Sequence, residues 1–206
     1  LVIIRILKRR RWMRDSTYKV AAGPEGYLPP AAAVMGVELP DPGQAIMEGE
    51  CVDQDTAMKA IASKLVSAEN PVFFPGPLIL WDWKPGVAEK AAALKDLAEA
   101  VGAKMIPMPD YRPKYPMINP AIEVNPNHPN LTIVHNKIDV CLFIGVHCHY
   151  ANIALKIIRG GTDCYTIAVC AEAGHEEAMI SLRDAGICEL QRLRELVIEL
   201  KGGMSR

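Results

Sequence analysis

The chain has 206 residues, half of them hydrophobic, which is enough for one domain with a substantial core. Lys and Arg number 23 against 24 Asp and Glu, a formal net charge of -1, so there is no global basic excess of the kind that marks a nucleic-acid binder. The acidic residues are spread along the chain, which argues against disorder driven by charge.

The chain opens on Leu1, runs apolar through Leu7, and turns basic at Lys8-Arg9-Arg10-Arg11. A secretory signal puts its charges before the apolar stretch, the reverse of this order. The stretch is also too short to cross a bilayer. Two readings stay open, a basic surface arm or an initiator at Met13. Residues 16–49 are rich in Gly and Pro, with Gly23-Pro24, Pro29-Pro30 and Asp41-Pro42-Gly43, so no long helix runs through them. They also hold Tyr18, Tyr27, Leu28, Val34 and Met35, too apolar a set for a solvated linker. Residues 1–52 are expected to form an irregular arm, lying on the domain or on a partner, and residues 53–202 the domain itself.

Asp53 or Asp55 can cap the first helix by accepting a backbone N–H. Ala57, Ile61, Leu65 and Ala68 then recur on one helical face that ends near Asn70. Pro71 to Phe74 is a short buried strand, turned by Pro75-Gly76-Pro77. The next helix is 87–101, closed by Gly102. Residues 103–107 read as a second strand. Residues 110–129 form a long loop with five prolines and three asparagines, and loops of that length are often functional. Residues 131–136 are a short helix or turn. Val140 to Ile144 is an apolar run stopped by Gly145, followed by a helix over 151–159 that Gly160-Gly161 ends. Residues 164–170 form the fourth strand. Ala178-Met179-Ile180 is an edge strand or a helical turn. The last helix, 188–201, turns Leu190, Leu193, Leu196, Val197 and Leu200 inward. Strands alternating with helices predict an α/β domain, a mostly parallel sheet covered on both faces.

The six cysteines form no CxxC pair. Cys141, Cys164 and Cys170 lie in or beside apolar strands, where Cys acts as a small hydrophobe. This usage fits a reducing cytoplasm, with no disulfide framework and no metal cluster held by this chain alone.

Ligands of open α/β sheets collect beyond the carboxyl ends of parallel strands. That rule points to Gly76 and to the run from Gly145 to Tyr150, with His147 and His149 beside a helix start that can receive an anion. On a strand, His147 and His149 would share a face and could share a metal. In a strand-to-helix turn, His149 would instead cap the helix or lie at a subunit surface. Pro75-Gly76-Pro77 is a poor phosphate cradle, because each proline removes an N–H donor. No P-loop, GxSxG or HExxH is present, and no catalytic set can be assembled. Trp81, Trp83 and Tyr111 are the candidate partner-binding residues, since Trp and Tyr are enriched at interfaces. Packing under the long loop is the competing role for the tryptophans.

The order Glu69-Asn70-Pro71-Val72-Phe73-Phe74-Pro75-Gly76-Pro77, a helix, Ala100-Val101-Gly102-Ala103, His128-Pro129-Asn130 and the strand before Gly145 is similar to the central domain of thiamine-diphosphate enzymes. Within that superfamily, Phe143-Ile144-Gly145-Val146-His147-Cys148-His149-Tyr150 and Asn152-Ile153-Ala154-Leu155 resemble the small epsilon subunit of the carbon monoxide dehydrogenase/acetyl-CoA synthase complex, also called the carbon monoxide dehydrogenase beta subunit. The resemblance covers about residues 53–202. It implies a Rossmann-like three-layer domain of the DHS-like, NAD/FAD-binding type, with FAD or NAD as the cofactors such relatives take. It also implies an accessory subunit of anaerobic one-carbon metabolism, bound to a large iron–sulfur catalytic subunit and without catalytic residues of its own. The expected partners are that subunit and a second copy of the chain, with neither nucleic acid nor membrane. The alternative is a stand-alone FAD- or NAD-binding oxidoreductase.

Overall fold

The computed structural model describes residues 40–81, 84–109, 124–125, 128–169, 177–183 and 185–204. Regular structure begins earlier than the sequence suggests. Gln44–Met47 (β1) and Glu50–Asp53 (β2) form an antiparallel hairpin. Glu48 and Gly49 at its tip have φ of 54° and 92°, the positive pair that a two-residue hairpin turn requires. These residues fall inside the stretch expected to be an irregular arm. Their strands are only four residues long and follow a Pro-Gly turn, so no periodicity marks them.

Asp53 ends the hairpin and caps α1, Gln54–Ser67. Its carboxylate accepts the N–H groups of Asp55 at 3.0 Å and Thr56 at 3.3 Å. Pro71–Pro75 is β3, wholly buried, and Pro77–Leu80 is a single helical turn, α2. Val87–Val101 is α3. Gly102 closes it with φ 80° and donates its N–H back to Ala98 and Glu99, while the Lys201 ammonium binds the carbonyls of Ala100 and Val101. Lys104–Met105 (β4) is shorter than the predicted strand, but Ile106 and Met108 extend the ladder by donating to Phe73 and Pro75.

Pro129–His135 is α4 and Val140–Ile144 is β5. The following helix, α5, spans Cys148–Gly161; it starts three residues earlier than expected, at Cys148, and ends two later, because both glycines before Thr162 stay helical. Tyr165–Val169 is β6 and Ile180–Leu182 is β7. The final helix, α6, is Ile187–Met204.

The seven strands form one sheet in the order β2-β1-β7-β6-β5-β3-β4. All pairings from β7 to β4 are parallel, and the β1–β2 hairpin joins antiparallel against β7. β7 is therefore an interior strand, not an edge. The alternating pleat divides the core. Phe73, Leu142 and Ile167 face a cluster shared with α1, α3 and α6. Val72, Phe74, Cys141, Phe143 and Ala168 face a second cluster under α4 and α5. Phe74 and Phe143 meet edge to face there, 5.1 Å between centroids. The result is the expected Rossmann-like three-layer α/β domain. Leu200 is exposed rather than inward, three residues past Val197, the last of the line that buries Leu193, Leu196 and Val197. No helix among the described residues is long and apolar enough to cross a membrane.

Candidate functional site

The chain leaves β3 in one direction, toward β4, and leaves β5 in the other, toward β6 and β7. The two strands are neighbours, so their carboxyl ends form the topological switch point of the sheet. Pro75 pairs with Ile144 at that end. Gly76 and Gly145 are the next residues on each strand, so the structure brings these two predicted site residues together.

They meet without a gap. A Cβ on Gly76 would stand 2.5 Å from the carbonyl oxygen of Gly145 and 2.6 Å from Cα of Val146. A Cβ on Gly145 would stand 2.8 Å from Cβ of Ile79, and Gly145 also has φ of 65°. The donors of the α2 turn are engaged by the chain itself. Gly76 N–H donates to Ile144 at 2.8 Å and Leu78 N–H to Gly145 at 2.9 Å. Ile79 and Leu80 both donate to the carbonyl of Gly76, and Pro77 has no N–H. The glycines make room for a chain crossing. As arranged, this turn does not present the row of N–H donors on which a dinucleotide pyrophosphate rests.

His147 is the N-cap of α5, and its carbonyl accepts the N–H groups of Tyr150 and Ala151. Its imidazole makes no capping hydrogen bond. His149 lies in the first turn of the helix, so it is not the cap, and the two residues do not share a strand. Both are exposed, with ring centroids 6.0 Å apart and planes tilted by 31°. Among the described residues no group of three or more His, Cys, Asp or Glu side chains could hold a metal ion.

Trp81 is the C-cap of α2 and is 37% exposed, beside exposed Leu80. Trp83 and Tyr111 lie outside the described residues. Leu131 and Val134 on α4, and Ile153 on α5, are among the exposed apolar residues that the sequence reading did not single out. The signal that could have found them is compositional, because neither helix contains an Asp or Glu.

Of the buried titratable groups, Cys141 is held well above the ordinary thiol range, first by burial and then by its hydrogen bond with Cys164. Tyr165 is also raised, by burial and then by the charge of Glu48, toward which its hydroxyl donates at 3.3 Å. Both groups stay neutral near pH 7. They pack the sheet and supply no nucleophile.

A family model described as CO dehydrogenase beta subunit/acetyl-CoA synthase epsilon subunit matches residues 36–197. No curated protein gives a match to the chain.

Proposed function

Because the chain belongs to the CO dehydrogenase beta subunit/acetyl-CoA synthase epsilon subunit family, we propose that it is an accessory subunit of a CO dehydrogenase/acetyl-CoA synthase complex. It has no active site of its own. It binds the large nickel–iron–sulfur catalytic subunit in the cytoplasm and stabilises or regulates it.

The observation that carries this reading is the family match, which takes in every strand of the sheet and most of α6. The switch point supports it. In a dinucleotide enzyme that crevice receives the cofactor, whereas here Gly76 and Gly145 pack on one another and the turn donates to its own carbonyls. Trp81 and Leu80 add an exposed apolar contact at the same end of the sheet.

Native purification from the source organism, with mass spectrometry of what travels with this chain, tests the proposal. A large iron–sulfur subunit in fixed ratio is the expected result. A chain that elutes alone, yellow with flavin or stabilised against heat by FAD or NAD, overturns it in favour of a stand-alone oxidoreductase.

A further inference from the structure

The turn that follows β3 is filled by its own chain. A dinucleotide seat at a switch point has three parts: a tight glycine turn, a row of open N–H groups, and a long helix that starts at once and points its N-terminus at the pyrophosphate. The helix is the first part to depart from that plan. α2 is a single turn, Pro77–Leu80, and the long helix α3 begins only at Val87, beyond residues 81–86. The helix that directly follows β3 is too short to present a summed dipole to an anion.

The donors are the second. Gly76 gives its N–H to Ile144 at 2.8 Å, Leu78 to Gly145 at 2.9 Å, and Ile79 and Leu80 to Gly76 at 3.1 and 3.0 Å. Pro75 and Pro77 have none to give. Three carbonyl oxygens of the chain, those of Ile144, Gly145 and Gly76, thus take the donors that phosphate oxygens take in a dinucleotide complex. Space is the third. Ile79 and Val146 are 4% and 6% exposed, and both press on the glycines. A Cβ on Gly145 would meet Cγ2 of Ile79 at 2.9 Å, and one on Gly76 would meet Cγ2 of Val146 at 2.7 Å. The glycines of a phosphate turn let a ligand approach the backbone. These two admit side chains of the same protein.

We infer that this turn is a closed clasp, and that the chain holds neither FAD nor NAD at the switch point, although its fold type implies one of them. The turn joins β3 to β5 in place of receiving a ligand. The inference goes beyond the accessory-subunit reading, because an accessory subunit can carry a redox cofactor or none. This chain serves its partner without passing electrons through a flavin or nicotinamide at that crevice.

Two measurements on the full-length chain test this. Amide hydrogen exchange followed by NMR reads the clasp itself. With no ligand added, the N–H groups of Gly76 and Leu78 are expected to exchange at least about a hundredfold more slowly than in an unfolded chain. Exchange there at the unfolded rate overturns the inference. Thermal melting reads the ligand. With FAD, NAD or NADH at about 1 mM the midpoint is expected to stay within about 1 °C, whereas a site of about 10 μM affinity would raise it by several degrees. A rise of that size overturns the inference. The outcome is separable from that of the accessory-subunit reading. A chain that binds a dinucleotide and still travels with the large subunit overturns the clasp and leaves that reading standing. A chain that travels alone, with Gly76 and Leu78 protected and no dinucleotide bound, does the reverse.

Discussion

Leu78 donates its backbone N–H to the carbonyl of Gly145 across 2.9 Å, which ties the turn after β3 to the turn after β5. The bond forms because neither neighbouring glycine has a side chain to hold the two turns apart.

Gly76→Ala is therefore expected to destabilise the fold by about 2–4 kcal/mol, since backbone rather than a flexible side-chain end blocks the new methyl group. Gly102→Ala meets open space and carries only the left-handed penalty, about 1 kcal/mol. Calorimetry of the two variants should rank them in that order. Equal losses would show that the crossing tolerates a side chain.

At the other end of the same two strands, the Asp139 carboxylate accepts N–H groups from Glu69 at 2.7 Å and Asn70 at 3.0 Å. The Asn70 side chain answers by donating to the carbonyls of Asn136 and Lys137. Asp139→Ala leaves two donors short of an acceptor and is expected to lower stability by about 2–3 kcal/mol. Asp139→Asn, which keeps an acceptor oxygen, should lose less. Urea unfolding of both variants checks the order.

Stability should fall on the alkaline side. Cys141 and Tyr165 have raised pKa values in the folded state, so the folded chain holds their protons more tightly than the unfolded chain does. That contribution is complete below the unfolded thiol value, near pH 8.5, and declines as pH rises beyond it. Urea midpoints measured from pH 7 to pH 10 should drop more steeply for the wild type than for Cys141→Ala.

Thiol labelling should follow burial. Cys51 and Cys188 are exposed, whereas Cys141 and Cys164 lie in the core. Iodoacetamide on the native chain is expected to modify the exposed pair well before the buried pair, read by peptide mass spectrometry. Early modification of Cys141 would show that β5 opens locally.

Trp81→Ala is expected to leave the melting temperature within about 2 °C of wild type, because the ring is partly exposed at a helix end. Its effect should appear in affinity for the catalytic subunit, about fivefold or more. An unchanged affinity would remove Trp81 from the contact.

The sequence was most legible where one kind of signal stood alone. β3 and β5 are short apolar runs bounded by proline, glycine or charge, and α3 ends on a glycine that can take positive φ. The β1–β2 hairpin was hidden because its turn is Glu48-Gly49 rather than a familiar Asn-Gly, and its strands are too short for a period to register. β7 was ambiguous because only three residues pair, and its neighbours come from both ends of the domain. The rule about strand ends led to Gly76, Gly145 and His147, and the structure sets the two glycines side by side at the ends of β3 and β5. What their side of the sheet does with them was not readable, because the packing of Gly76 on Gly145 joins residues far apart in sequence.

The β1–β2 hairpin also sets the order in which the sheet can be completed. β1 leaves the ribosome before every other described strand, yet its ladder partner is β7, with Ala45 opposite Leu182. Until β7 has been made, β1 and β2 have no sheet edge to join, and a lone hairpin is marginal in water. The parallel strands from β3 to β6 can assemble during synthesis while the hairpin waits. The far edge of the sheet then closes only when β7 arrives. Closure of so long a loop is slow compared with local pairing. A ribosome stalled before β7 would thus expose a sheet that lacks one edge, and the nascent chain would be open to chaperones and to pairing with other chains at that point.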